Sequence, residues 1–560
     1  MIGKVIVSGI SIILVVGVAI GVVAGVHKFG SSGDSGEKLS PQTKAVSSVC
    51  APTDFKELCM KSLTTYAPNG TTDPKELIKA AVLAIEDQMK GSLNFSQSLV
   101  TNDTEAKTKM SLEDCKDLYQ SAIGELQAVF SYVGDSDLHT MDDRVAEIQN
   151  WLSAVVSYQE SCLDNMDDPK LKADLQNNVL NASELTSNAL SIVAGLNQVL
   201  SSFDLKLNLT SNSRKLLSMD QGGQYPSWFS AADRKLLAKV DNGRVRPNAV
   251  VAKDGSGQYK TIGAALAAYP KGHKGRYVIY VKAGVYDEYL TVTKDQVNVF
   301  MYGDGPRKSI VTGHKSNKDG VPTMQSATFA AVGKGFICKS MGFQNTAGYI
   351  GHQAVALRVQ SDMSAFFNCR MDGYQDTLYL QTNRQFYRNC VISGTVDFIF
   401  GDSPAIIQNS LIIVRKPGPD QQNTITAQGR KWKNENTGLV IHNCRIVPEQ
   451  KLYSQRFAIK SYLGRPWKPY ARTVIIESTI GDFIQPAGYL SWNGDNKDNE
   501  CIYAEYGNRG PGARFNGRVK WKGVRLISRK EALGYTAGPF LQGNQWLKNT
   551  GFKYMLGLRY

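Results

Sequence analysis

The stretch SAFFNCRMDGYQDTLYLQTNRQFYRNCVISGTVDFIF, residues 364–400, lies on itself when slid by 21 residues. Asn368 falls on Asn389, Cys369 on Cys390 and Met371 on Ile392; Gly373 falls on Gly394, Asp376 on Asp397 and Leu378 on Ile399. Weaker copies follow around Asn409, Asn443 and Glu477, and GFQNTAG, holding Asn345, precedes. Self-similarity at this spacing marks a solenoid whose units stack. The repeat cores are rich in Val, Ile and Phe and bounded by Gly, Asn and Asp, so each copy reads as strand and turn. Parallel coils stack about 4.8 Å apart, which makes equal repeat positions lateral neighbours. Asn345, Asn368, Asn389, Asn409 and Asn443 should therefore form a ladder along the stack. Asp376 and Asp397 should face each other. On the repeat alone, two turn residues without chemistry are the plainer reading.

Charge divides the 560 residues in two. Residues 238–560 carry 44 Lys and Arg against 22 Asp and Glu, whereas residues 1–237 carry 20 against 28. A basic C-terminal part attracts polyanions, and the acidic N-terminal part can dock on it by long-range complementarity. No helix-turn-helix, RNA-recognition or zinc-finger pattern is present, so nucleic acid is the poorer partner.

In chain order, Val5–Val26 is an uncharged apolar run, long enough to span a bilayer. It is longer than a signal-peptide core and has no clear A-x-A site, so residues 1–28 read as a signal anchor or signal peptide. Either sends the chain into the secretory pathway, with membrane contact only through this segment. Residues 29–44 are a Gly- and Ser-rich linker. Residues 45–205 turn helical: Leu77, Ala81, Val82 and Ile85 share one face, as do Val145, Ile148, Leu152 and Val155. That pattern predicts an all-α bundle. Its four cysteines, Cys50, Cys59, Cys115 and Cys162, read as a disulfide framework in an exported chain. Sequons at Asn69, Asn94, Asn102, Asn181 and Asn208 predict a glycosylated module. Residues 206–245 form a connector in which Arg214-Lys215-Leu216-Leu217 recurs as Arg234-Lys235-Leu236-Leu237, a pair of candidate protease sites. From 246 to 560 strand and turn run almost to the end, and the basic segment 509–530 reads as solvated surface.

Histidine is scarce and no G-x-S-x-G elbow occurs, which argues against an α/β-hydrolase triad. Gly401-Asp402-Ser403 lacks the rest of a GDS-lipase pattern. Carboxylates remain as the acid, base and nucleophile candidates, and a pair can divide those roles if its surroundings split the two pKa values.

GSGQYKTI (255–262), GVYDEY (284–289), QAVALR from Gln353, GYQDTLY, GTVDFIFG and LGRPW from Leu463 resemble plant pectin methylesterases, over essentially all of 246–560. Residues 45–205 resemble the pectin methylesterase inhibitor domain, in which the first two cysteines pair, as do the last two. The resemblance implies a right-handed parallel β-helix preceded by a four-helix bundle. It also implies a pro-enzyme that de-esterifies methylesterified homogalacturonan in the cell wall without a cofactor or metal. Asp397 matches the nucleophile and Asp376 the acid/base. Gln353 and Gln375 match the oxyanion donors. Arg465 matches the guanidinium on the nucleophile, whose charge would hold Asp397 ionised while Asp376 keeps a raised pKa. Thr323 and Trp467 match substrate-contacting positions, and Tyr379 and Phe400, following the aspartates, should line the cleft. The helical region would restrain the enzyme until a protease cuts at an RKLL site.

The family commonly pairs the cysteine at 390 with one twenty residues later, where this chain has Ser410. Cys390 is left to bridge Cys369 on the neighbouring coil or to stay free. A pectate lyase or polygalacturonase would share the β-helix, but neither a calcium-binding carboxylate cluster nor a Gly-His-Gly motif is found. A purely binding role, with the helical module restraining another enzyme, is countered by the complete set of matched residues.

Overall fold

Alternating Val, Ile and Phe between Asn and Gly turns produces strands of two to six residues, each too short to stand alone and each paired in parallel with the next coil. The computed structural model describes residues 40–136, 144–203, 246–492, 494 and 500–559. Among these, the strands form three parallel sheets of eleven, seven and eight strands, and successive coils contribute one strand to each. The result is a right-handed parallel β-helix. Its interior is a continuous apolar column that includes Phe329, Phe336, Phe366 and Tyr387, with the last two rings stacked 4.8 Å apart. The register bears out the 21-residue slide, since Met371 pairs with Ile392 and Leu378 with Ile399.

The predicted asparagine ladder is real but one member differs. Asn368, Asn389, Asn409, Asn443 and Glu477 occupy equal positions on successive coils, with φ between 51° and 53°. Asn and Asp tolerate this left-handed turn better than other non-glycine residues. Side chains bond along the stack, as in Asn443 Nδ2 to Asn409 Oδ1 at 2.9 Å. Asn345 is not part of it. Gly342 pairs with Arg370, so Ser340 (φ 57°) holds the ladder position and receives Asn368 Nδ2 at 2.9 Å. Asn345 ends a strand instead and donates to the carbonyls of Lys315, Ser326 and Val355.

The helices are α1 (Pro41–Cys50), α2 (Lys56–Tyr66), α3 (Pro74–Ser98), α4 (Ala106–Gly134), α5 (Val145–Asp164) and α6 (Pro169–Ala194). The last four make the bundle around Leu77, Ile85, Leu126, Leu152 and Val155. Asp73 and Asp168 cap α3 and α6, each followed by proline at the first helical position. Helix α1 begins inside the stretch expected to be linker, with Ser40 Oγ accepting from the Thr43 amide. Disulfides join Cys50 to Cys59 and Cys115 to Cys162. The five remaining cysteines are buried and form no disulfide, so Cys390 does not bridge Cys369. Ser410 Oγ instead accepts from the Cys390 amide at 3.0 Å.

At the C-terminal end the strands give way to helices, and the basic residues of segment 509–530 are exposed as expected except Arg518. Arg529–Gly534, Ala537–Leu541 and Gly543–Trp546 are short helices whose Phe540, Leu541 and Trp546 cover the outer face of the eleven-stranded sheet. Arg518, read as solvated, is buried and bonded to Glu505 at 2.7 Å. Residues Ala45–Tyr560, helices and strands together, form one compact unit. The apolar run 5–26, most of the 29–44 linker, Asn208 and both RKLL sequences lie outside the described residues. Among the described ones, no helix is long and apolar enough to cross a membrane.

Candidate active site

Asp376 and Asp397 stand two residues before the strands Leu378–Leu380 and Ile399–Gly401 of the seven-stranded sheet. Leu378 pairs with Ile399, so the two aspartates occupy the same turn position on adjacent coils. Both are left-handed, with φ of 61° and 50°. Such conformations cost of order 1–3 kcal/mol for a non-glycine residue, and surrounding bonds must hold them. The Asp376 amide donates to Val396 O at 3.0 Å. The Asp397 amide donates to Thr424 Oγ1 at 2.9 Å, and that hydroxyl donates to Asp397 Oδ1 at 2.6 Å.

Two coils on, Arg465 lies on the strand Ser461–Pro466. Its Nε reaches Asp397 Oδ1 at 3.0 Å and its second amino group reaches Oδ2 at 2.6 Å. This is a charge-assisted fork that fixes both carboxylate oxygens. Burial opposes the Arg465 charge, but its bond to Asp397 outweighs that and its pKa ends above the ordinary value. The other carboxyl differs. Burial first, then the charge of Asp397, push Asp376 well above the usual carboxylate range, and Arg465 offsets only part of this. The pair thus has one ionic partner, and it belongs to Asp397.

All nine residues singled out from the sequence line one cavity of about 530 Å³: Thr323, Gln353, Gln375, Asp376, Tyr379, Asp397, Phe400, Arg465 and Trp467. Tyr379 and Phe400 stack at 4.3 Å, and Trp467 stands 5.9 Å from Phe400. Sequence reasoning missed Trp492, whose ring lies 4.3 Å from the Arg465 guanidinium, and Thr424, the partner of Asp397. Nothing in the repeat singles out Trp492, because it follows the last cleft strand. Thr424 was accessible through the register, as it sits two before Thr426, the partner of Ile399. Asp402 is held away in a buried network with Gln428 and Thr437. Among the described residues, no cluster of His, Cys, Asp and Glu could hold a metal.

The bundle forms the opposite wall. Ser161, Asp164, Asn165 and Lys172 line the same cavity. Ser161 Oγ lies 3.0 Å from the Tyr379 hydroxyl, and Ser157 Oγ donates to Gln381 O at 2.7 Å.

The family model described as Pectinesterase matches residues 248–544, more than half of the chain. This chain belongs to the pectinesterase family. A second model, Plant invertase/pectin methylesterase inhibitor, matches residues 44–192. The chain is 45% identical over 525 residues to Putative pectinesterase/pectinesterase inhibitor 45 of Arabidopsis thaliana, covering 93% of this chain and 85% of the relative. It is 41% identical to Pectinesterase 4 of the same plant over the full length of both. Pectin methylesterase from carrot has a similar structure, at 50% identity and a TM-score of 0.56, covering 56% of this chain and 99% of the carrot chain. The pectinesterase region therefore coincides with the β-helix and the inhibitor region with the helices.

Proposed function

We propose that this chain hydrolyses methyl esters of homogalacturonan to free carboxylate and methanol, with Asp397 as nucleophile and Asp376 as acid and then base. The observation that carries the assignment is the forked Arg465–Asp397 bond beside a buried Asp376 with a raised pKa. The carboxylate of Asp397 attacks the ester carbonyl carbon, and the side-chain amides of Gln353 and Gln375 donate to the oxyanion. Such donors are worth roughly 3 kcal/mol in a tetrahedral transition state. As the C–O bond breaks, protonated Asp376 gives its proton to the departing methoxy oxygen, and methanol leaves. The acyl group stays on Asp397 as an anhydride. Asp376, now ionised, takes a proton from water, whose oxygen attacks the acyl carbon and restores Asp397. Thr323, Tyr379, Phe400 and Trp467 hold the sugar chain. No cofactor takes part.

The bundle of 45–205 restrains this cleft in the uncut chain. The charge pattern supports that reading. Five ion pairs join the parts among the described residues: Glu147 to Arg384, Glu160 to Lys431, Glu160 and Asp164 to Lys468, and Asp54 to Lys433, at 2.6–2.9 Å. In each the carboxylate comes from the N-terminal helical part. Cleavage at an RKLL sequence in the 206–245 connector releases the β-helix domain, 246–560. Residues 1–28 direct the chain through the secretory pathway as signal anchor or signal peptide, residues 29–44 link them to the bundle, and the enzyme acts in the cell wall. Asn69, Asn94, Asn102 and Asn181 are exposed, as glycan acceptors need to be. A lyase or polygalacturonase reading finds no support on the β-helix side of the cleft, which offers a single ion-paired carboxylate and two glutamine amides.

The test uses the chain cut in its connector, assayed together for methanol and polymer length on methylated pectin. Asp397→Asn should keep the fold, since Asn tolerates the left-handed turn. It should lower methanol release by roughly 10³-fold or more. Full activity in that variant sinks the assignment. Equal rates before and after cutting remove the restraining role.

A further inference from the structure

Lys468 follows Trp467 at the edge of the cleft, and two carboxylates of α5 hold it. Its Nζ lies 2.8 Å from Glu160 Oε2 and 2.9 Å from Asp164 Oδ1. The other oxygen of Glu160 is bonded at 2.6 Å by Lys431, on the neighbouring coil. Trp467 donates its amide to Gln428 O, which keeps the two lysine-bearing loops side by side. Both lysines come from the β-helix and both carboxylates from the helices. Withdrawal of the bundle therefore removes the carboxylates from two ammonium groups, that of Lys468 in the cleft lining beside Trp467 and that of Lys431 beside Trp432 on the adjoining coil. Four residues separate Glu160 from Asp164, one helical turn, so they present two carboxylates on one face.

We infer that Lys431 and Lys468 form a subsite for the free carboxylate of an already de-esterified galacturonate unit, and that Glu160 and Asp164 occupy it in the uncut chain as internal stand-ins. The inference rests on the esterase reading above and adds a preference to it. A methyl ester carries no charge and cannot replace these carboxylates. A polymer with a free acid next to the reacting ester can. Restoring the ion pairs that the bundle took away rewards partly de-esterified substrate over fully methylated substrate.

The experiment compares kcat/KM for methanol release from half-de-esterified and fully methylated homogalacturonan oligomers, using the chain cut in its connector. The unmodified protein should favour the half-de-esterified oligomer. Lys468→Met should lower that ratio about tenfold, mainly through KM, and Lys468→Arg should restore it. An unchanged ratio overturns the subsite, including the case in which both rates fall equally. Should Lys468→Met not fold, the uncut chain with Glu160→Gln and Asp164→Asn supplies the second reading. Calorimetry with a fully de-esterified oligogalacturonate should show at least tenfold tighter binding than to the unmodified uncut chain, and equal affinity overturns the proposal. Absence of methanol from either substrate with the unmodified cut chain would instead refute the esterase reading itself.

Discussion

The bundle and the β-helix solve the problem of buried polar groups in opposite ways. In the bundle, backbone bonds close within each helix, two disulfides tie the chain locally, and the interior is aliphatic. In the β-helix every strand bonds to another coil, the five cysteines form no disulfide, and polar side chains are stacked inward or along turns as ladders. Helix α5 belongs to both regimes. Ile148, Leu152, Val155 and Val156 face its own bundle, while Asn150, Ser153, Ser157, Glu160, Ser161 and Asp164 recur every three or four residues on the other side. That polar stripe is buried too, because the β-helix covers it. Asn150 Nδ2 donates to Asn383 Oδ1 at 2.9 Å, and Ser153 Oγ accepts from the Asn436 amide at 3.3 Å. A polar helix face can thus be interior once a second part supplies its hydrogen bonds.

The largest expected effect strikes the seam. Arg384 is 1% exposed and bonds Asp362 of its own part and Glu147 of α5 at 2.6 and 2.7 Å. Arg384→Met leaves buried Asp362 with only the half-exposed Lys334, 4.0 Å away, and should cost about 3 kcal/mol in chemical denaturation. Next comes the bundle alone. Replacing Cys115 and Cys162 by serine opens a loop of 47 residues and should cost about 2–4 kcal/mol, confined to the helical transition. A matching loss in the β-helix would dissolve the contrast. Within the β-helix, Asn409→Ala forces alanine into a left-handed turn and removes the acceptor for Asn443, at a cost of about 1–2 kcal/mol.

Protons give the smallest effect, on the hold between the two parts after cutting. Asp114 faces Asp117, Asn165, Gln325 and Arg358, and burial raises it from 3.8 to about 6. Its contribution to docking is complete below the ordinary value and is lost as pH rises through about 6. Glu160 behaves oppositely. Burial raises it, but Lys468 and Lys431 outweigh that and take it from 4.5 to about 2. Its contribution is present above 4.5 and lost as pH falls toward 2. Docking of the cut parts should therefore be tightest between roughly pH 4 and 5 and weaken roughly tenfold from pH 5 to 7, about 1.4 kcal/mol. Affinity that climbs steadily with pH would contradict these signs.

Much of this was readable in advance for a physical reason that also explains the misses. A stacked coil copies its neighbour, so identical positions in the chain become identical positions in space, and Asp376 and Asp397 could be paired by subtraction. Where the copy is imperfect the method slipped: Asn345 looked like a ladder residue because GFQNTAG shares its letters, yet Ser340 holds the turn. The terminal helices were missed because their apolar residues cover the outside of a sheet and follow no repeat. Trp492 serves the cleft from beyond its last strand, where spacing carries little information, whereas Thr424 lies where the strand register sets it opposite Asp397.

The order of residues alone settled the coil stacking, the facing aspartates and the division into an acidic helical part and a basic stranded part, since side-chain period and net charge are local properties of the chain. Only the folded molecule decided that the polar stripe of α5 is the far wall of the cleft and that Lys468 is held by Glu160 and Asp164. Those contacts join residues some 300 positions apart, and no periodicity in a sequence records which exposed face another part will cover.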